Sequence, residues 1–217
     1  APSVADRTAA TALDDIVVTA NRSAQSIDKV GASVTVLTQA ALEAAQATAV
    51  PDMLARTPGV SFTRNGGVGT STTVNIRGAE GHHTVVLIDG VKMNDPSSTQ
   101  GGANLSNLLV GDVGRIEILR GAQSTLWGSQ AIGGVVNIIT AEPTEDFQGN
   151  LSAEAGSHGT RYVRGGIGGA SDRLSWRLAA NRYDTDGFSA HAPGTEDDGY
   201  ENSSLSGRLN LKLTDKA

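Results

Sequence analysis

The sequence predicts an α+β globular domain followed by a run of long antiparallel strands. Glycine is frequent, 27 of 217 residues, where an average chain has ~7%. That excess suits tight turns and close backbone packing better than a helical protein. Between residues 31 and 141, short apolar segments of mixed period alternate with glycine-marked turns. From Phe147 onward the period becomes two and the segments lengthen to roughly 9–11 residues, enough for a tilted strand to cross a bilayer.

Charge and composition remove several classes. The formal net charge is -6 and no Lys/Arg run occurs, which argues against a nucleic-acid partner. The absence of cysteine excludes a disulfide scaffold, a Cys-based zinc site and a Cys nucleophile. No stretch approaches the ~18 consecutive apolar residues of a membrane helix, although barrel strands hide their apolar residues at alternate positions. The opening Ala1-Pro2-Ser3-Val4-Ala5 lacks a basic start and an apolar segment. A mature chain with its leader removed looks like this, as does a chain that never had one.

Residues 1–30 are small and polar around one apolar patch and read as a mobile arm. In 31–141, residues 33–37 alternate as a strand. Thr38 can cap the Ala/Leu/Glu-rich helix 39–45 that follows. A second helix fits 50–56, with Pro51 in its first turn and Thr57-Pro58-Gly59 as its stop. Segments 60–64, 73–77, 84–88, 116–119 and 135–140 are β-branched, apolar and bounded by turn residues, hence strands. The acidic, proline-containing run 141–146 reads as a linker.

Four strands follow, at 148–157, 160–170, 173–183 and 203–213. Leu174, Trp176, Leu178 and Ala180 share one face, with Ser175, Arg177 and Asn181 opposite. Leu205, Leu209, Leu211 and Leu213 repeat the rule against Arg208, Asn210 and Lys212. A short turn at 170–172 and a long polar loop at 184–202 match an outer-membrane barrel. A soluble antiparallel sheet with one wet face alternates identically, so periodicity alone leaves both open. Four strands cannot close, since bacterial barrels use at least ~8, and lipid does not tolerate open edges. The barrel alternative therefore expects this chain to be part of a longer protein.

Three segments carry a resemblance. Asp14-Asp15-Ile16-Val17-Val18-Thr19-Ala20-Asn21-Arg22 is the first. Asn75-Ile76-Arg77-Gly78 with Val85-Val86-Leu87-Ile88-Asp89-Gly90-Val91 is the second. The third is Arg115-Ile116-Glu117-Ile118-Leu119-Arg120-Gly121 followed by Ala131-Ile132-Gly133-Gly134-Val135-Val136-Asn137-Ile138-Ile139-Thr140. In order and spacing they resemble the TonB-dependent outer-membrane receptors over about residues 1–141. The resemblance implies an α+β plug domain followed by the first antiparallel strands of a 22-stranded transmembrane β-barrel. It divides the chain into an arm with a TonB box (1–30), the plug (31–141) and four barrel strands (142–217). It implies active import of a scarce large nutrient across the bacterial outer membrane, the plug gating the barrel and the box engaging TonB. Residues 58–67, 131–140, Thr185-Asp186-Gly187-Phe188 and Glu196-Asp197-Asp198-Gly199-Tyr200 most resemble members that import cobalamin. Ferric-siderophore and haem receptors share much of the plug wording and stand as alternatives.

The resemblance also assigns residues. Asp15, Ile16, Val17, Val18, Thr19 and Ala20 would be the TonB box, an extended segment able to add a strand to a partner sheet. Taken alone, an acidic residue before a valine-rich run reads as an ordinary first strand. Arg77 and Arg120 match plug positions facing barrel carboxylates; on their own they read as surface charge. Asn65, Ser71, Thr72, Ser98 and Thr99 lie in two polar loops, 65–72 and 95–104, suited to hydrogen-bonding an amide-rich cargo. Any solvated loop has that composition, and the second loop is about one residue longer than in the cobalamin importers. Glu196, Asp197 and Asp198 crowd three carboxylates into the long loop. They could take calcium or form a solvated turn; the resemblance implies calcium, although Ser189 stands where another aspartate is expected. No cofactor is otherwise implied.

Two other classes compete. An enzyme finds no support: no G-x-S-x-G elbow, no H-x-x-x-H spacing and no phosphate loop. His82 and His83 fall in a hairpin-like turn, where neighbouring side chains point apart, and His158 and His191 stand alone. A soluble plug-like binding or signalling module is the second competitor.

Overall fold

A computed structural model describes residues 16–17, 25–98, 100–191 and 193–213. Its first part is built on a five-stranded sheet of β3 (Ser33–Thr38), β6 (Thr84–Ile88), β7 (Val91–Lys92), β8 (Val113–Arg120) and β9 (Gly134–Thr140), in the order β3-β8-β9-β6-β7. Neighbours are antiparallel except β6 and β9. Thr38 ends β3 and caps α1 (Gln39–Ala45), its hydroxyl accepting from the Ala41 amide at 3.3 Å. α2 (Val50–Leu54) stops short of Arg56 because the chain closes into turns there, Arg56 N bonding to Met53 O and Thr57 N to Leu54 O. A hairpin, β4 (Val60–Arg64) and β5 (Thr72–Ile76), completes the cover on that side.

Alternation along these strands divides the interior in two. Ile116, Ile118, Val136 and Ile138 face α1, α2 and the hairpin in the larger cluster. Val85, Leu87, Leu119 and Val135 face the other way, under Ile27, Val30, Val34, Val36 and Trp127. Trp127 ends a one-turn helix, α3 (Ser124–Trp127). A separate two-residue ladder joins β1 (Ile16–Val17) to β2 (Gln25–Ser26), pairing Ile16 with Ser26 and Val17 with Gln25.

The second part is an antiparallel meander of β10 (Gln148–Ala155), β11 (Arg161–Ala170), β12 (Leu174–Thr185) and β13 (Tyr200–Leu211). The loop between β12 and β13 is shorter than the sequence suggests. Tyr200, Glu201 and Asn202 pair with Thr185, Asp184 and Tyr183, carrying the ladder further out. One face of this sheet presents Leu151, Val163, Ile167, Leu178, Leu205, Leu209 and Leu211 to the outside, Leu209 at 71% exposure. The polar face is turned onto the plug. A soluble antiparallel sheet does the reverse, burying its apolar face and wetting its polar one. The arrangement therefore fits a wall that meets lipid on one side and a plug on the other. No helix among the described residues is long and apolar enough to cross a membrane, which says nothing of strands.

Candidate functional site: the plug–wall seam and the outward cavity

The plug meets the wall first through aromatic rings. Tyr162 and Tyr183 are buried, edge to face at 5.6 Å, and the Tyr200 ring lies tilted against Tyr183 with centroids 5.9 Å apart. Together with Ala49, Leu109 and Val68 they make an apolar patch between plug and strands. The Tyr162 hydroxyl accepts from the Gly111 amide at 2.8 Å, and the Tyr200 hydroxyl donates to Asn107 Oδ1 at 2.9 Å.

Charge closes the rest of the seam. Arg177 of β12 points inward and donates to Asp112 Oδ1 at 2.6 Å and to Asn150 Oδ1 at 3.2 Å. Both charged partners are well covered, at 6% and 13% side-chain exposure. Burial raises the Asp112 carboxyl above its usual range; the Arg177 guanidinium pulls the other way without fully offsetting it. Directly across the ladder from Arg177, Arg208 of β13 donates to Glu142 Oε1 at 2.6 Å and pairs with Asp89. Asp89 also accepts from Thr140, backbone amide at 3.0 Å and hydroxyl at 2.9 Å. A single carboxylate thus ties the β6–β7 turn to the end of β9 and to the wall.

Arg77 and Arg120 are not part of this seam. The Arg120 guanidinium donates to Ser33 Oγ (3.2 Å) and Thr35 Oγ1 (2.8 Å), holding β8 to β3. Arg77 is exposed and shares a shallow depression with it, alongside Pro58 and Gly59. Burial, with the Arg77 charge second, draws the Arg120 guanidinium below its usual range. Along these four strands the plug supplies the carboxylates and the wall supplies the arginines. Arg177 and Arg208 were visible as the polar side of alternating strands. Their partners Asp89, Asp112 and Glu142 sit in turns, where no spacing marks them.

The two polar loops do converge. They enclose an outward cavity of about 640 Å³ lined by Ser71, Thr73, Glu80, His82, Asp95, Ser98 and Asn104, among others. Ser71 and Ser98 therefore face it. Thr72 does not: it is 1% exposed, its amide donating to Asn104 Oδ1 (3.1 Å) and its hydroxyl to Thr70 O (2.8 Å). Its part is to fix the first loop to the second. Asn65 is exposed and off the cavity, in a loop that leans on the β12–β13 connection, with Gly67 beside Phe188 and Gly69 against Tyr200. Thr99 lies outside the described residues.

The second loop is held rigidly. Asn94 is buried, donating to Thr84 O and Gly101 O, both at 3.1 Å, and accepting from Val86 N. Gln130 donates to Gly101 O at 3.0 Å. The Ser97 hydroxyl and amide hold the Asp95 carboxyl below its usual range. His82 and His83 correct the hairpin expectation. Gly81–His83 is a 3-10 turn, closed by His83 N to Glu80 O at 2.8 Å. The rings therefore lie together, 4.1 Å between centroids, instead of pointing apart.

Of the box residues, Ile16 and Val17 form β1, already paired with β2; Asp15, Val18, Thr19 and Ala20 lie outside the described residues. In the long loop, Asp198 Oδ2 accepts from Ala190 N (2.7 Å) and Glu196 Oε2 from Thr195 N (3.1 Å). Asp197 is exposed. Among the described residues no three His, Cys, Asp or Glu side chains are grouped to hold a metal ion. These carboxylates do not by themselves make a cation site.

An α+β plug, charged against the inward face of strands whose outer face is apolar, defines a plugged membrane-barrel receptor. The comparisons agree: the pattern described as TonB-dependent Receptor Plug Domain matches residues 26–135, and the chain belongs to the TonB-dependent receptors. The family comprises receptors and transporters, not enzymes. The chain is 37% identical over 205 residues to the vitamin B12 transporter BtuB of Photobacterium profundum, covering 93% of this chain and 33% of that protein. Among solved structures it is similar to the siderophore receptor PirA of Acinetobacter baumannii, with 29% identity and a TM-score of 0.67 over 84% of this chain and 29% of that one. It superposes on FpvA of P. aeruginosa at a TM-score of 0.76 with 22% identity, covering 92% of this chain and 26% of that one, a likeness of fold. The chain spans between about a quarter and a third of the length of these relatives.

Proposed function

We propose that the receptor imports cobalamin across the bacterial outer membrane, using TonB as its energy-coupling partner. The observation that carries this reading is the 37% identity, over nearly the whole chain, to a vitamin B12 transporter. The outward cavity supports it, because hydroxyls, amides and a carboxylate on a rigid floor suit an amide-fringed ligand. The plug blocks the lumen, the apolar outer face meets lipid, and the β-branched residues around Ile16–Val17 offer backbone groups to a partner sheet. Glu196, Asp197 and Asp198 would need further ligands to hold a calcium ion.

A second reading, a ferric-siderophore receptor, is favoured by the likeness to PirA at 29% identity and to the ferric yersiniabactin receptor FyuA of Yersinia pestis at 25%. The test is a binding titration of the complete receptor with cyanocobalamin, with calcium present and absent. Saturable binding at micromolar ligand or below is expected. Failure of that binding together with capture of a ferric siderophore would transfer the assignment. A calcium requirement would assign the loop carboxylates to the ion.

A further inference from the structure

The lipid-facing side of the wall changes character along its strands. Cross-strand register sets Ala180 beside Leu205, Ile167 beside Leu178 and Trp176 beside Leu209, so these rows are apolar. The rows nearest the β12–β13 connection are charged. There Arg182 lies beside Ser203, and Arg161, Asp184 and Glu201 line up across three strands. All four charged residues share the face of Leu178 and Leu205, because alternate residues of a strand point the same way. From Arg182 to Leu174 the strand runs eight residues, about 27 Å along its length and roughly 21 Å of height at a tilt of ~40°. The outward apolar band of a membrane barrel is ~25 Å tall. The charged rows therefore stand at headgroup depth, on the same side of the membrane as the outward cavity.

These rows are mixed in sign and only partly satisfied. Arg182 Nη2 meets Glu201 Oε1 at 2.5 Å and Asp184 Oδ2 at 3.9 Å, and its Nη1 donates to Ser203 Oγ at 2.9 Å. Arg161 is exposed and enters no ion pair or side-chain hydrogen bond among the described residues, although Asp184 is its register partner. A free planar guanidinium matches two oxygens of a phosphate. Asp184 and Glu201, opposite each other on neighbouring strands, are hard oxygen donors of the kind magnesium or calcium takes. Among the described residues no three His, Cys, Asp or Glu side chains are grouped for a metal ion, so such an ion needs oxygens from elsewhere to fill its shell. The outer leaflet of a bacterial outer membrane offers both partners at once, as phosphorylated glycolipid cross-linked by divalent cations. We propose that Arg161, Asp184 and Glu201, held in place by Arg182, bind the phosphorylated headgroup of one such glycolipid on the outside of the wall. Arg161 takes a phosphate, and the two carboxylates share a divalent cation with it. A zwitterionic or uncharged headgroup leaves Arg161 without an anion.

The inference rests on the outer-membrane placement of the wall and is independent of the cargo. The test uses the complete receptor in detergent with magnesium, titrated with bisphosphorylated lipid A, its dephosphorylated form and phosphatidylglycerol, and bound lipid is counted by native mass spectrometry. One lipid A is expected to be held about 10-fold or more tightly than either comparison lipid, and EDTA should remove that preference. Arg161→Gln should lower affinity for lipid A about 5-fold, and Arg161→Gln with Arg182→Gln about 25-fold. Arg173→Gln, which removes the same charge at the other end of the strands, should leave it unchanged. Asp184→Asn with Glu201→Gln should abolish the response to EDTA. Heat-modifiable migration on gels reports that each variant keeps its barrel; if the paired variants do not, Arg161→Gln alone carries the test. Equal retention of dephosphorylated lipid A or phosphatidylglycerol overturns the proposal, as does displacement of lipid A by millimolar inorganic phosphate or an equal loss in Arg173→Gln. Dimerisation that the arginine variants abolish, with no lipid preference, overturns it in favour of a second copy of the chain. A complete receptor that never reaches a heat-resistant form fails the membrane placement and this inference with it.

Discussion

Asp112 and Arg177 offer the sharpest test of the seam, because the two natural ways of damaging the pair should give different results. Asp112→Ala leaves the Arg177 guanidinium at 6% exposure without its anion. Removing one partner of a buried pair costs about 3–5 kcal/mol. Arg177 keeps Asn150 as an acceptor at 3.2 Å, which places the loss near ~3 kcal/mol, roughly a hundredfold in the ratio of docked to undocked plug. Asp112→Asn retains an acceptor and removes a charge whose burial is unfavourable. The raised Asp112 pKa states this directly, since desolvation is its largest cause. Arg177 loses its anion here too but keeps its hydrogen bond, so the expected loss is smaller than that of Ala, about 1–2 kcal/mol at neutral pH. The sign with pH follows. A carboxyl raised in the folded state contributes most below its ordinary value and less as pH rises through the raised one. Asp112→Asn should accordingly improve relative to wild type from acid toward neutrality. The assay is urea titration of the detergent-solubilised receptor, read by proteolysis of the plug. An Asn variant as damaged as the Ala variant, or an Ala variant within 0.5 kcal/mol (about the noise of such a comparison), would refute the reasoning.

Gly69 has φ +93 and a Cβ there would overlap the Tyr200 ring. Gly69→Ala should destabilise the loop by about 1–3 kcal/mol, seen as a lowered Tm. Gly78→Ala, strained at φ +75 but facing open space, should lose only the smaller backbone share. Leu209 faces outward on β13. Leu209→Arg should cost about 2–4 kcal/mol in refolding into bilayers if it sits near the midplane, while a solvated sheet would lose nothing. Val17→Pro removes a backbone donor from β1; uptake should vanish with cargo binding intact, and wild-type uptake by this variant would sink the coupling role.

Local signals were read well and distant partnerships were not. Residues 39–45 announced a helix through Thr38 and their Ala/Leu/Glu content, and the helix has those bounds. β7 and α3, two and four residues long, are too short to show any period. The resemblance singled out the loops whose Ser71 and Ser98 line the cavity, but it could not tell that Thr72 turns inward, since that depends on Asn104, 32 residues away. The seam pairs join residues 65 or more positions apart, a separation at which spacing carries no information. The two histidine rings lie together because Gly81–His83 winds into a 3-10 turn closed by the His83 amide on Glu80 O, which no spacing in the sequence marks.

Asp112 precedes β8 and Arg120 ends it, so the carboxylate that meets the wall and the guanidinium that does not are separated by the length of one strand, roughly 26 Å. The plug is therefore electrically lopsided, like a key cut on one edge. Against these four strands Asp89, Asp112 and Glu142 are the plug groups that match Arg177 and Arg208, and an arginine in their place would meet like charge. A few charges along one edge of the plug thus help to set its orientation against these strands, with no dedicated lock.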